Sequence, residues 1–136
     1  PQDKFVPLYE NSKNIRIVQD AMFSSTNEVM GTSYRSRIND PKYRFAGKTG
    51  TAQIVENGVY TKKKINTFAS VFPSSDPKYV LVILLEDTKL SKNYVYKYRN
   101  KPGSFKGTPF NTAGWTSVEI TGKIIDKIGP ILATKY

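Results

Sequence analysis

The spacing of apolar residues predicts a helix near each end of the chain. Over residues 13–30, apolar positions recur three or four apart with polar residues between them, as in a helix that buries one face. Asn11 or Ser12 can cap the start of this helix, and Gly31 stands where a left-handed C-terminal cap is expected. A second apolar stripe, starting near residue 112 or 114, predicts another helix, which Gly129-Pro130 should break or kink.

Between these helices, the first predicted strand covers residues 43–56. Its alternation places Lys48 and Gly50 on one side, and Thr49 and Thr51 on the other. Asn57-Gly58 is a strong hairpin signal, so residues 59–60 are expected to turn back along residues 54–55. The basic residues 61–64 are expected to form an exposed loop.

Two further strands are predicted after that loop. Residues 66–72 form one strand, closed by the turn residues 73–77 with a proline at each end. Residues 79–85 are continuously apolar, which indicates a strand covered on both faces and therefore central or nearly so. The basic, Tyr-rich residues 90–106 are expected to form a loop or a short hairpin.

This order of elements predicts an α+β fold, an antiparallel three-stranded sheet flanked by an N-terminal and a C-terminal helix. At 136 residues the chain is long enough for one domain with a single core. No run reaches the roughly 18 apolar residues of a membrane-spanning helix. Because the chain starts at Pro1 without a Met or a signal-like segment, we expect it to be a piece of a longer protein.

The composition narrows the chemistry that is open to the chain. It contains no His and no Cys, which excludes His-dependent triads, thiolate nucleophiles and most zinc sites. Lys, Asp, Glu and Tyr remain for proton transfer, and no metal or cofactor is expected. The net charge of +10 can steer an anionic partner, but a solvated Lys-rich surface explains it equally simply.

Residues 45–53, Phe-Ala-Gly-Lys-Thr-Gly-Thr-Ala-Gln, are the most informative stretch for function. Gly47-Lys48-Thr49 also ends a phosphate-binding P-loop, but Lys42 stands where that motif needs its first glycine. The residues that follow favour a strand and not the helix that a P-loop requires. The other interpretation is an ordinary edge strand, in which Lys48 reduces aggregation and the Thr residues favour β structure.

The stretch resembles the third motif of class B penicillin-binding proteins, whose Lys-Thr-Gly accompanies Ser-x-x-Lys and Ser-x-Asn. The resemblance covers nearly the whole chain, and it implies the second half of a penicillin-binding/β-lactamase-like transpeptidase fold. Residues 1–136 then form the C-terminal portion of the transpeptidase domain. Further matches are Gly31-Thr32, residues 68–73 with 76–79, and Thr112-Ala113-Gly114-Trp115, the last resembling the division-specific branch.

The resemblance also implies roles for four motif residues. Lys48 and Thr51 would be catalytic, Lys48 by tuning the serines and Thr51 by its backbone N–H in the oxyanion hole. Thr49, Gly50 and Thr51 would bind substrate, namely peptidoglycan stem peptides or β-lactam antibiotics. The parent would be a D,D-transpeptidase on the periplasmic face of the bacterial inner membrane, held by a segment outside this chain, and would contact other division or cell-wall synthesis proteins.

The other two motifs are expected outside the chain, which alone would be inactive. Ser75-Asp76-Pro77-Lys78 fits Ser-x-x-Lys literally, but it lies in a predicted turn after the motif strand and not at a helix start. Matches to Ser-x-Asn at residues 12–14, 25–27 and 91–93 are explained most simply as local hydrogen-bonding residues.

Two further expectations concern partners. Tyr94, Tyr96 and Tyr98 alternate with basic residues, a pattern that would suit a non-catalytic basic module binding nucleic acid or another anionic polymer. A solvated strand has the same pattern, and no nucleic acid is expected. Since two helices can cover only part of a sheet that is apolar on both faces, self-association of the chain is expected.

Overall fold

The computed structural model describes residues 9–89, 92–97, 101–107 and 110–136. Its main elements are α1 (Ser12–Asn27), β1 (Ala46–Glu56), β2 (Val59–Phe72), β3 (Tyr79–Glu86) and α2 (Ser117–Leu132). β1, β2 and β3 form an antiparallel sheet in that order, and a hairpin of β4 (Val95–Tyr96) and β5 (Phe105–Lys106) lies apart from it. This architecture confirms the predicted α+β fold.

Helix α1 begins as predicted and ends earlier. The Asn11 side chain caps its start by accepting a hydrogen bond from the Lys13 backbone N–H at 2.9 Å. The chain leaves the helix at Glu28, whose φ of −97° and ψ of 147° are extended. The prediction of a left-handed cap at Gly31 was wrong, because Gly31 has no positive φ. A Cβ there would lie 2.2 Å from the carbonyl oxygen of Ser25, so glycine is required for close approach.

The β1–β2 hairpin turns at Asn57 and Gly58, whose φ values of 51° and 77° match the predicted turn. The expectation of an exposed loop at residues 61–64 was wrong. β2 runs without a break from Val59 to Phe72, and Lys64 pairs with Gln53 after a register shift in β1. The basic residues lie on a two-stranded arm beyond the last β2–β3 pair, Ile65 with Glu86, so their polarity reflects exposure within a strand.

Strand β3 lies at an edge of the described sheet and not at its centre. Its burial alternates, and Val80, Val82 and Leu84 are 73%, 55% and 61% exposed. The prediction of a strand covered on both faces was therefore wrong for this chain. Continuous apolar residues indicate apolar surroundings, but they do not say whether the same chain provides them.

The core lies between the other face of the sheet and α2, which contacts β2 and β3. Its most buried members are Phe45, Phe68, Phe72, Val118 and Ile125. Of the break or kink predicted at Gly129-Pro130, the break does not occur, because helix α2 continues through both residues to Leu132. Gly122 gives α2 a close approach to a 3₁₀ turn (Tyr34–Ser36), because a Cβ on Gly122 would lie 2.8 Å from the Ser36 carbonyl oxygen.

Two further elements contact β1. Helix α1 contacts β1, and a second 3₁₀ turn (Ala113–Trp115) precedes α2 and contacts both β1 and α2. The β4–β5 hairpin confirms the short hairpin predicted within residues 90–106, although residues 90, 91 and 98–100 lie outside the described part. Among the described residues, no helix has the length and apolarity needed to cross a bilayer.

Candidate active site

A cleft of about 510 Å³ opens beside β1, next to the motif residues. Thr49 and Thr51 lie on one of its walls, as the alternation along the strand predicts. The others come from the segment before β1, from the β4–β5 region and from the turn before α2: Gly31, Thr32, Arg35, Lys97, Phe110, Thr112, Gly114 and Trp115. The motif strand is thus joined by segments from both sides of it in the sequence.

Lys48 and Gly50 alternate to the other side of the strand. Lys48 lines a neighbouring, mostly apolar groove between α1 and β1, and Thr49 borders both this groove and the cleft. The Lys48 ammonium donates a hydrogen bond to the Thr49 carbonyl oxygen at 2.9 Å. An ammonium has three N–H donors, and this bond uses one of them. The positive charge therefore lies against the motif backbone.

β1 pairs only with β2 within the described sheet, so its other edge has no strand partner there. In an antiparallel ladder, alternate residues direct their N–H and C=O groups away from the partner strand. Such an edge can pair with an extended peptide in the manner of an added strand. Gly50 adds no side chain there, and a Cβ at this position would lie 3.8 Å from the Thr67 Cβ, an ordinary contact.

Thr51 is tied to the turn before α2. Its Oγ1 accepts a hydrogen bond from the Ala113 backbone N–H at 3.0 Å. A hydroxyl that accepts in this way still has its own proton to donate, for example to a carboxylate. Sequence reasoning missed this contact, because 62 positions separate the two residues and no local signal joins them.

Arg35 and Trp115 line the cleft and contact each other. The Arg35 guanidinium carbon lies 4.0 Å from the Trp115 ring centroid, and Nη2 lies 3.3 Å from Glu119 Oε2. Burial lowers the pKa of Arg35 from its ordinary value, and the charge of Glu119 opposes that shift. Arg35 was missed too, since it lies in a stretch with no pattern beyond polarity.

The aromatic side chains of the β4–β5 hairpin pack against each other and against the cleft. The Tyr96 ring lies edge-on to Trp115 at 5.2 Å and stacks on Phe105 at 5.8 Å. Tyr94 stacks on Tyr96 at 6.3 Å. Tyr94 and Tyr96 thus pack against other aromatic rings of the chain, and the alternative of a basic binding module is unsupported. Tyr98, which belonged to that alternative, lies outside the described residues.

The literal Ser-x-x-Lys match lies in the turn between β2 and β3, as expected. Lys78 forms an ion pair with Asp76 at 2.6 Å. Residues 75–78 form no helix, so Ser75 and Lys78 are not placed one helical turn apart, which is the arrangement that would make a nucleophile. Of the Ser-x-Asn matches, those at residues 12–14 and 25–27 lie in α1, and Ser91 lies outside the described part.

Comparison with known proteins identifies the class. The family model of the penicillin-binding protein transpeptidase domain matches residues 9–105, and the chain belongs to this family. A probable peptidoglycan D,D-transpeptidase FtsI of Caulobacter vibrioides is 26% identical over 102 residues, 70% of this chain and 15% of that protein. The FtsI protein of Escherichia coli K12 is 43% identical over 53 residues, 38% of this chain and 9% of that protein.

A solved structure shows the same fold. The transpeptidase domain of FtsI4 from Legionella pneumophila aligns with a TM-score of 0.56 at 19% identity, covering 87% of this chain and 36% of that chain. The chain spans less than a sixth of the length of the curated relatives described above. The resemblance to a class B penicillin-binding protein is thereby confirmed at the level of the family.

Proposed function

We propose that residues 1–136 are the C-terminal portion of the transpeptidase domain of a serine-type peptidoglycan D,D-transpeptidase. The observation that carries this proposal is the edge strand β1, which presents Thr49 and Thr51 to one cleft and holds Lys48 at the same backbone. The family membership of the chain supports it. The chain would be part of a longer protein, the full-length protein.

In the proposed reaction, a serine from outside the chain attacks the D-Ala-D-Ala amide of a stem peptide. The serine oxygen bonds to the carbonyl carbon, the C–N bond breaks, and the terminal D-alanine leaves with a proton. An amine of a neighbouring stem peptide then attacks the ester carbonyl. The new amide bond is the cross-link, and the serine is released with its proton. A β-lactam would enter the same first step, and its opened ring would remain on the serine.

The described residues take distinct parts in this scheme. Lys48 stabilises negative charge near the reacting serine, and the Thr49 and Thr51 hydroxyls donate to the carboxylate of the substrate or β-lactam. The Thr51 N–H contributes to the oxyanion hole, and Gly50 leaves room for an extended peptide along the edge. The site would face the periplasm at the bacterial inner membrane, and other division or cell-wall synthesis proteins would contact the full-length protein.

The test is covalent labelling with a fluorescent penicillin. The full-length protein should gain one penicilloyl group by intact mass, because it would supply the serine. The 136-residue chain should gain none under the same conditions, since Ser75, the one serine of its sequence that is followed three positions later by Lys, does not begin a helix. A stoichiometric adduct on the chain alone would overturn the placement of the nucleophile. A full-length protein that never becomes labelled would overturn the proposed function.

We also propose that the isolated chain self-associates through its uncovered sheet face. Val80, Val82 and Leu84 lie in a row on that face, and the outer edge of β3 has no strand neighbour in the described sheet. Exposed apolar rows and open edges favour association. This would be a property of the isolated chain, since other parts of the full-length protein can cover the same face.

Light scattering should accordingly give a mass above that of one chain, and high salt should not reduce it, because salt screens charges and strengthens apolar contacts. Val82→Lys should shift the mass towards the monomer. Val59→Lys, at an exposed site beside the hairpin turn, is the matched control and should have no such effect. A stable wild-type monomer at high concentration would contradict this proposal.

A further inference from the structure

Arg35 links its own turn to two adjacent segments that lie far along the sequence. It belongs to the Tyr34–Ser36 turn, its guanidinium stacks on Trp115 of the turn before α2, and its Nη2 contacts Glu119 of α2. Its side chain is only 16% exposed, and Nη1 is buried without a hydrogen-bond partner among the described residues. Burying a guanidinium with incomplete hydrogen bonding is costly, so fold stability alone is a poor reason for an arginine here.

The turn held by Arg35 is the one that contacts Thr51. Trp115 and Ala113 belong to one 3₁₀ turn, in which the Trp115 N–H donates to the Thr112 carbonyl oxygen at 2.9 Å. The Thr116 hydroxyl donates to the same oxygen at 3.0 Å. A turn this tightly bonded moves as a unit, so the position of the Trp115 ring also determines where the Ala113 N–H points.

Glycines keep both turns close to their neighbours. A Cβ on Gly114 would lie 3.1 Å from the Thr32 carbonyl oxygen, and Gly122 gives the Tyr34–Ser36 turn its close approach to α2. Glu119 is itself held by Lys123 at 2.8 Å, which limits the freedom of the carboxylate that meets Arg35. The arginine is therefore fixed from both sides.

We propose that Arg35 is a positioning residue for the acylation step, holding the Ala113–Trp115 turn so that the Ala113 N–H orients the Thr51 hydroxyl towards the substrate. This inference rests on the proposed function of the cleft. When the turn is held, a lone pair of Thr51 Oγ1 accepts from Ala113 and the hydroxyl proton is directed to the ligand carboxylate. When the turn is loosened, the hydroxyl can rotate and that hydrogen bond weakens.

The test uses the full-length protein and the second-order rate constant of acylation by a fluorescent penicillin. Arg35→Gln should lower it about 10-fold, which corresponds to a cation–π contact between the exposed and the fully desolvated limits. Arg35→Lys should also lower it, because an ammonium keeps the charge but lacks the planar group that stacks on Trp115. Arg37→Gln is the matched control, since Arg37 lies 4.0 Å over the Tyr34 ring but is exposed and outside the cleft. It should acylate like the wild type.

A double-mutant cycle separates positioning from general destabilisation. In a Thr51→Ala background, Arg35→Gln should change the rate less than about twofold, because the hydroxyl that it orients is gone. The same comparison with Arg35→Lys serves if Arg35→Gln does not fold. The inference would be overturned if Arg35→Gln lowered the acylation rate constant by the same factor in both backgrounds. It would also be overturned if both Arg35 variants were acylated at the wild-type rate. If the unmodified protein is never acylated, the proposed function fails instead.

Discussion

Replacing Lys48 by Ala in the full-length protein should lower the rate constant of penicillin acylation by about 10²- to 10³-fold, as losing one preorganised electrostatic contact to a transition state typically does. The ammonium lies against the Thr49 carbonyl, so its removal takes a positive charge from the motif without emptying the core. The melting temperature should remain close to that of the wild type. Stopped-flow fluorescence with a labelled penicillin measures the rate, and thermal unfolding checks the fold. Near-normal acylation would leave Lys48 as an ordinary strand residue.

Gly50→Ala is a second motif variant, and it tests whether the ligand lies along the edge of β1. The added methyl group has room in the fold, 3.8 Å from the Thr67 Cβ, so stability should change little. The methyl group would nevertheless lie on β1, along which the substrate is proposed to bind. Acylation should therefore be slower than in the wild type. Unchanged acylation by Gly50→Ala, alongside a large loss in Lys48→Ala, would show that the ligand does not lie along this edge.

The second large effect is expected on the stability of the core that packs against β1. Phe68→Ala should lower the free energy of unfolding by about 3–5 kcal/mol, the usual cost of removing a fully buried phenylalanine. Phe68 is fully buried, meets Phe45 edge-on at 6.0 Å and pairs across the sheet with Thr49. The loss should therefore be accompanied by weaker penicillin acylation.

Urea unfolding of the full-length protein, followed by circular dichroism, measures this loss. Tyr60→Ala is the control, because Tyr60 is 73% exposed on the hairpin arm and its truncation should cost less than about 1 kcal/mol. Similar losses for the two variants would contradict the assignment of Phe68 to the core that supports β1.

The parts of the fold that the sequence predicts correctly are those with local signals. Alternation identifies β1, and Asn57-Gly58 sets its turn because both residues take positive φ there. The predictions that fail are those that depend on which strands lie next to a segment in the fold. Val82 lies in a run that looks central, yet it is exposed at an edge, since the apolar partners implied by the run are not in this chain. Likewise, Lys64 looks like a loop residue but pairs with Gln53.

The candidate site divides in the same way. Lys48, Thr49, Gly50 and Thr51 are consecutive, so one motif identifies them, and their catalytic and binding roles stay predictions. Arg35 and the Ala113–Trp115 turn reach Thr51 only through tertiary contacts. No periodicity or spacing connects them, and a polar arginine in a loop is ordinary on its own. These residues come together as a wall of the cleft only in the folded chain.

A crystal structure of the full-length protein after reaction with a penicillin tests the central claim most directly. It should show the opened β-lactam bonded to a serine from outside residues 1–136 and lying along β1. The ligand carboxylate should be within hydrogen-bond distance of the Thr49 and Thr51 hydroxyls, with the Ala113 N–H still bonded to Thr51. An acyl group whose carboxylate is bound elsewhere, with Thr49 and Thr51 uninvolved, would contradict the assignment of this strand to the active site.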